Sequence, residues 1–79
     1  AQLEGTNILI QNLDMPGTIG FIGTTLGNYN VNIANLHLSR TPQKDRAICI
    51  LRIDAEAPAE AIEAIRSNPN ILYCRQVKF

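Results

Sequence analysis

The sequence predicts an α+β fold of the ferredoxin-like type (βαββαβ), in which a four-stranded antiparallel sheet carries two helices on one face. Two observations predict it. The spacing of the apolar residues is typical, in chain order, of a strand, a helix, two strands, a helix and a strand. The chain also divides into two β-α-β halves of nearly equal length, joined by a short polar turn at residues 41–45. Short right-handed crossovers then give the strand order 4-1-3-2.

The first half begins with a strand and continues with a helix. Residues 7–13 are rich in apolar and β-branched side chains and are bounded by turn formers, which is typical of a strand. Apolar residues then recur at helical spacing between Ile19 and Leu26. Pro16 suits the first position of this helix, where its missing N–H costs nothing.

Two further strands follow the helix. Residues 31–40 alternate between apolar and polar side chains, but the alternation slips, so we expect either a start near Ala34 or a bulge. Residues 46–54 are apolar on both faces in their middle, which predicts an interior strand. Because Ile48 and Ile50 lie on the second face of that strand, we expect a partner subunit or a neighbouring domain to cover it.

The second half closes with a helix and a strand. Apolar residues repeat at helical spacing up to Ile65, and they predict a helix that opens at residues 55–58. Turn formers at 68–70 end this helix, and residues 71–79 form the last strand.

The composition predicts one globular domain that spans residues 1–79. Hydrophobic residues make up 46% of the chain, and seven Lys and Arg balance seven Asp and Glu. A chain without net charge has no field to attract nucleic acid or an anionic membrane, so we expect neither as a partner. No apolar run is long enough to span a membrane and the first residues do not resemble a signal peptide, so we expect a cytoplasmic protein.

Few residues could carry catalytic chemistry or hold a metal. His37 is the only histidine, and Cys49 and Cys74 lack metal-ligand spacing, so we expect no metal site. Both cysteines lie within strands, which favours buried thiols over a disulfide. The sequence contains no nucleophile elbow, P-loop or dinucleotide fingerprint, so we expect neither a catalytic residue nor a cofactor in this domain.

The first helix contains several glycines. Gly20, Gly23 and Gly27 fall on one stripe, and each costs the helix on the order of 1 kcal/mol relative to alanine. We therefore expect the stripe to pack closely against the sheet, the second helix or a bound ligand. Gly17 lies at the helix start, where N–H groups without helical partners form a seat for an anion or a carboxyl group.

Three polar side chains form the candidate ligand site. Asp14 precedes the first helix, Asn12 lies two residues earlier, and Asn32 follows the turn after that helix. If they meet at one end of the sheet, two amides and a carboxylate can hold the ammonium and the carboxylate of a free amino acid. The alternative is that Asp14 only caps the helix or accepts a hydrogen bond in the turn, and that the amides only stabilise loops.

Two long stretches of the chain resemble an ACT domain, a small regulatory module attached to many enzymes of amino-acid metabolism. They are NLDMPGTIGFIGTTLGNYNVNIANLHLSR, from Asn12 to Arg40, and DRAICILRIDAEAPAEAIEAIRSNPNILYCRQVKF, from Asp45 to Phe79. The first is most similar to the C-terminal ACT domains of D-3-phosphoglycerate dehydrogenases, NAD-dependent enzymes of serine synthesis. The iron–sulfur L-serine dehydratases carry a very similar domain and are the alternative.

The resemblance implies an allosteric regulatory domain without catalytic activity of its own. In the dehydrogenase family, L-serine binds between two ACT domains that pair side by side into one larger sheet, and it inhibits the enzyme. The ligand-holding positions fall on Asn12, Asp14 and Asn32. Pro16 and Gly17 shape the turn beside them. The resemblance thus implies L-serine or another small amino acid as ligand, a second ACT domain as partner, and NAD only in the parent enzyme.

Two other hypotheses stay open at this point. In the first, the domain only assembles a larger enzyme, and its polar loop residues bind no ligand. In the second, the same fold carries an acylphosphatase-like activity, which requires an arginine in the loop after the first strand. No arginine lies between Leu13 and Phe21, and a fold alone implies no activity.

Overall fold

The computed structural model describes residues 5–40 and 45–78. They form β1 (Thr6–Leu13), α1 (Thr18–Asn28), β2 (Ile33–Arg40), β3 (Arg46–Ile53), α2 (Ala59–Arg66) and β4 (Ile71–Lys78). The strands make one antiparallel sheet in the order β2-β3-β1-β4, which is the predicted order read from the other edge. The ferredoxin-like α+β prediction is therefore confirmed. Residues 1–4, 41–44 and 79, which the predicted domain, turn and last strand include, lie outside the described residues.

The core lies between the sheet and the two helices. Successive side chains of a strand lie on opposite faces of the sheet, and on the interior strands β1 and β3 this places Ile8, Ile10 and Leu51 on the face that the helices cover. These residues form one buried cluster with the helices. The buried apolar residues of the helices are Ile22 and Leu26 in α1 and Ala61, Ile62 and Ile65 in α2. Each fully buried Ile or Leu contributes roughly 1.5–3 kcal/mol. This layer therefore holds the helices against the sheet.

The second face of the sheet is open in the described chain. Ile48 is 44% exposed and Ile50 is half-buried, because both helices pack on the opposite face. The prediction of an uncovered apolar surface on β3 is confirmed for a single chain. Its cover by a partner stays a prediction.

Both helices begin later than predicted. Gly17 adopts a left-handed φ of 85° as the N-cap of α1, so Pro16 lies in the turn before the helix and not at its first position. A side chain with a Cβ is strained at this φ, which accounts for the glycine. In the second half, Pro58 is extended and α2 starts at Ala59.

The register between β2 and β3 shifts between Ile33 and Asn35. Of the two alternatives that the slip in alternation left open, a start near Ala34 or a bulge, this shift supports the bulge, and β2 itself starts at Ile33. The bulge lies near the start of β2, so the rest of the strand pairs regularly with β3 up to Arg40.

The glycine stripe makes no close contact with the rest of the described chain. A Cβ built on Gly20, Gly23 or Gly27 finds no heavy atom within 4 Å outside the backbone of its own helix. The predicted close packing against the sheet or α2 is therefore wrong. The physical reason is that the stripe lies on the side of α1 away from the buried residues Ile22 and Leu26.

The two cysteines are free and buried, as predicted. Cys49 and Cys74 pair with Ile10 from opposite sides, so all three lie in one row across the sheet. Two strand spacings, about 9.6 Å, separate the cysteines. That distance exceeds the reach of a disulfide, whose Cα atoms lie within about 7 Å. Burial raises the pKa of both thiols.

Candidate functional site

A cavity of about 340 Å³ lies at the end of the sheet where α1 begins. Four of the five predicted site residues line it, namely Asn12, Asp14, Pro16 and Gly17. Small-molecule sites occupy roughly 300–1,000 Å³. The cavity is at the lower end of this range, which suits a ligand of few heavy atoms.

The sheet topology also brings the end of β2 to this cavity. Both β1 and β2 run antiparallel to β3, so they run parallel to each other and end on the same side. Asn12 of β1 and Arg40 of β2 both pair with Ala47 of β3, and the three residues form one row near the first turn of α1. The small side chain of Ala47 leaves space between its two neighbours. No motif in the sequence points to Arg40, although the predicted strand order already brings the end of β2 to this cavity.

The side chain of Asn12 is buried and held in place. Only 2% of the residue is exposed, and its Nδ2 donates to the carbonyl oxygen of Leu13 at 2.8 Å. Its Oδ1 accepts a weak hydrogen bond from Sγ of Cys49 at 3.7 Å. The amide therefore presents a fixed orientation to the cavity.

Asp14 forms an ion pair that the sequence did not reveal. Nε of Arg40 donates to Oδ2 of Asp14 at 2.8 Å, and the two side chains are 61% and 26% exposed respectively. The backbone N–H of Asp14 donates to the carbonyl oxygen of Asp45 at 2.9 Å, which fixes the loop. Among the described residues no side chain caps α1, so the helix-cap alternative for Asp14 is wrong. The cavity thus carries one carboxylate and one guanidinium side by side.

The tip of α1 presents unpaired donors to the cavity. Within the described residues, the backbone N–H groups of Ile19 and Gly20 have no hydrogen-bond partner, and the first turn contains no acidic side chain. Both residues line the cavity. Unpaired N–H groups and the helix dipole favour negative charge at this position. The tip therefore offers a seat for a carboxylate.

Thr18 is a second residue that the sequence analysis missed. It lines the cavity, and only 3% of it is exposed. Its Oγ1 is buried and has no hydrogen-bond partner within the described part of the chain. The residue type alone gives no signal of this, because threonine is common on helix faces.

Asn32 lies at the opposite end of the sheet. Its carbonyl oxygen accepts from the N–H of Asp54 at 3.1 Å, and the next residue, Ile33, pairs with Ile53 beside the start of β1. Seven residues of β1 separate the two ends, a span of about 23 Å. The expectation that Asn32 meets Asn12 and Asp14 within one chain is therefore wrong. The reason is that β2 starts where β1 starts and reaches the cavity only at its own end.

The described ranges hold neither a metal cluster nor a membrane-spanning helix. No group of three His, Cys, Asp or Glu side chains there could hold a metal ion. Neither of the two helices is both long enough and apolar enough to cross a membrane.

Comparison with known proteins places these features in a family. The profile of the ACT domain matches residues 6–70. D-3-phosphoglycerate dehydrogenase of Methanocaldococcus jannaschii is 40% identical over 68 residues, which are 86% of this chain and 13% of that protein. The enzyme of the same name from Mycobacterium leprae is 39% identical over 62 residues, or 78% of this chain and 12% of that protein. The chain thus spans about an eighth of the length of these relatives.

A solved structure shares the fold. The ACT domain of GTP pyrophosphokinase from Chlorobium tepidum superposes with a TM-score of 0.72 at 16% identity, covering 94% of this chain and 97% of that one. At this identity the likeness shows the architecture alone. The match of the family profile over most of the sequence decides the assignment. The chain belongs to the ACT domain family of regulatory domains.

Proposed function

We propose that this chain is the amino-acid-sensing domain of a D-3-phosphoglycerate dehydrogenase and that its ligand is L-serine. The observation that carries the proposal is the cavity in which the Asp14–Arg40 pair lies beside the unpaired N–H groups at the tip of α1. The relatives reported above bear the name of that enzyme, which favours it over an iron–sulfur L-serine dehydratase as the parent.

The charges of the cavity complement those of a free amino acid. The carboxylate of Asp14 can accept hydrogen bonds from the α-ammonium group. The guanidinium of Arg40 and the N–H groups of Ile19 and Gly20 can bind the α-carboxylate. A cavity of about 340 Å³ leaves room for a short side chain.

A second copy of the domain would complete the site. The backbone on the outer edge of β2 makes no hydrogen bond within the described residues. At the other edge of the sheet, Arg66 shields β4, because its Nε and Nη2 donate to the carbonyl oxygen of Cys74 at 3.0 and 2.7 Å. An open edge strand is a template for pairing. Antiparallel pairing of β2 with β2 of a second copy would bring the second copy's Asn32 beside Arg40, which restores Asn32 as a proposed ligand contact.

The unpartnered glycines support the same arrangement. Ile19 lines the cavity together with Leu38 of β2, so this side of α1 faces β2. Gly23 lies one turn further along, and its free surface adjoins the open edge. A second α1 can approach closely there because no side chain intervenes.

In this proposal the domain regulates its parent enzyme by shifting the populations of that enzyme's conformational states. A ligand that binds one state of the parent enzyme more tightly stabilises that state, and typical allosteric coupling is about 1–3 kcal/mol. In this proposal catalysis and NAD binding reside outside the domain, which works in the cytoplasm. Pro16 and Gly17 serve by fixing the turn that positions Asp14.

Isothermal titration with L-serine, glycine and L-alanine tests the proposal. We expect binding of L-serine at protein concentrations where a dimer forms, and loss of that binding in Asp14→Ala. Glu60→Ala is the matched control, because Glu60 is an exposed acid on α2 outside the cavity. Flat titrations with all three amino acids and a stable dimer would favour the ligand-free assembly module.

A further inference from the structure

We propose that the hydroxyl of Thr18 binds the side-chain hydroxyl of the ligand and thereby makes the cavity selective for a β-hydroxy amino acid. This inference rests on the proposed function, which names an amino acid but leaves its recognition beyond the α-carbon unexplained. It concerns a side chain that takes no part in the ion pair or the helix-tip seat.

Thr18 lines the cavity, and its hydroxyl is a buried polar atom that has no hydrogen-bond partner within the described residues. A threonine in a helix often donates to a carbonyl oxygen three or four residues earlier. Here the carbonyl oxygen of Met15 accepts instead from the backbone N–H of Thr18 at 3.3 Å, and Oγ1 bonds to nothing in the described chain. A buried hydroxyl without a partner is costly, and each such group in a native structure calls for an explanation. A hydrogen bond from Oγ1 to a ligand atom would be a sufficient explanation.

The other polar groups of the cavity already have roles. The amide of Asn12 is engaged with Leu13 and Cys49. Asp14 and Arg40 match the two charges that every α-amino acid carries, and so do the N–H groups of the helix tip. None of these groups distinguishes one small amino acid from another. Thr18 is left to contact the side chain.

The surroundings of Thr18 strengthen the selectivity. The neighbouring walls of the cavity come from Ile19, Leu38 and Ala47, which are apolar. A hydroxyl can both donate and accept, so Thr18 can pair with the hydroxyl of L-serine in either sense. The methyl group of L-alanine can neither donate nor accept a hydrogen bond, so Oγ1 would stay without a partner in apolar surroundings. Sites that hydrogen-bond a ligand hydroxyl reject the analogue that lacks it for this reason.

The test compares L-serine with L-alanine by isothermal titration of the wild type, Thr18→Val and Thr18→Ser. We expect the wild type to prefer L-serine by about tenfold to hundredfold, from the usual cost of leaving a buried polar group unpaired. Thr18→Val has nearly the same shape and should bind the two amino acids within about threefold, chiefly through weaker L-serine binding. Thr18→Ser keeps the hydroxyl and should keep the preference.

A second measurement does not depend on the ligand. Because Oγ1 has no partner among the described residues, Thr18→Val should unfold at a higher temperature than the wild type when no amino acid is present. A lower melting temperature would mean that the hydroxyl already has a stabilising partner, and it would overturn the inference.

The binding outcomes separate the two proposals. If the wild type binds L-serine and Thr18→Val retains the wild-type ratio, Thr18 does not read the hydroxyl, and the proposed function stands. If Thr18→Ser loses the preference as fully as Thr18→Val does, the methyl group and not the hydroxyl is responsible, which also overturns the inference. If the wild type binds neither amino acid, both proposals fail.

Discussion

Arg40 donates a 2.8 Å hydrogen bond from Nε to Oδ2 of Asp14, which ties the last residue of β2 to the loop between β1 and α1. The two residues are 26 positions apart in the sequence. The guanidinium is largely exposed, and exposed ion pairs contribute about 0–1 kcal/mol to stability. The pair therefore does little to hold the fold together. Both residues line the cavity, and in the proposed function the pair orients two opposite charges toward the amino acid.

The first prediction concerns this pair. Arg40→Gln should change the free energy of unfolding by less than about 1 kcal/mol, because the ion pair is exposed. It should weaken L-serine binding by about tenfold or more, since a charge-assisted hydrogen bond is lost. Urea unfolding and isothermal titration measure the two effects. Arg75→Gln, the same change at an exposed position of β4, is the control and should alter neither. A large loss of stability in Arg40→Gln would contradict the assignment.

The fold was predictable from the sequence because its signals are local. A run that is apolar on both faces marks β3, helical spacing marks α1 between Ile19 and Leu26, and the slip near Ala34 marks the bulge. The start of α1 was less predictable. Whether Pro16 opens a helix depends on the φ of Gly17, and the sequence does not report that angle.

The candidate site was only partly predictable because it depends on relations between strands. Asn12 and Asp14 adjoin the helix start in the sequence, and the structure brings them to one cavity. Asn32 is also near α1 in the sequence but lies at the other end of the sheet, since parallel strands joined by a helix begin at the same end. Arg40 reaches the cavity for the same reason. The orphaned hydroxyl of Thr18 becomes visible only when every hydrogen bond around it is known.

The second prediction concerns the glycine stripe. Gly23→Ala should stabilise the single chain by about 0.5–1 kcal/mol, because alanine is the better helix former and the new Cβ meets no atom of the described residues within 4 Å outside the backbone of its own helix. The same change should weaken self-association if a second α1 packs there. Sedimentation velocity and thermal unfolding at low protein concentration measure the two effects.

A matched control for the glycine variant lies on the same helix. Asn28→Ala also raises helix propensity, and Asn28 is exposed on α1 outside the glycine stripe. It should not destabilise the chain and should leave the association constant unchanged. Equal association of the wild type, Gly23→Ala and Asn28→Ala would show that the proposed pairing does not use the stripe.

The third prediction concerns the edge of β4. Arg66 is bound to the carbonyl oxygen of Cys74 through two nitrogens, and its Nη1 also pairs with Glu63 at 2.7 Å. Arg66→Met should destabilise the domain by about 1–3 kcal/mol, because hydrogen bonds from a charged group are lost. It should also increase aggregation, since the edge strand loses its shield. Urea unfolding and light scattering test both effects.

Glu63→Gln distinguishes the two bonds of Arg66. It removes only the exposed ion pair with Arg66, so it should cost no more than about 0.5 kcal/mol and leave the edge shielded. If Glu63→Gln aggregates as much as Arg66→Met does, the surface charge and not the shielded carbonyl governs association at this edge.

The fourth prediction concerns pH. Burial raises the pKa of Cys49 and Cys74 above the ordinary value of 9.0. The folded state therefore holds these protons more tightly than the unfolded state does, and the stability they contribute is complete below the ordinary pKa and is lost as the pH rises through the raised values. Urea unfolding between about pH 8 and pH 11, a range that brackets the ordinary thiol pKa, should show this decline. The double variant Cys49→Ala, Cys74→Ala should be less stable at neutral pH, but its stability should decline less steeply with pH. An equal slope would assign the effect to other groups.

Cys49 also links this pH range to the cavity, because its S–H donates to Oδ1 of Asn12 at 3.7 Å and a thiolate cannot donate. Because the ammonium group of free L-serine also loses its proton in this range, L-serine affinity should fall in both proteins, and the fall should be steeper in the wild type than in Cys49→Ala.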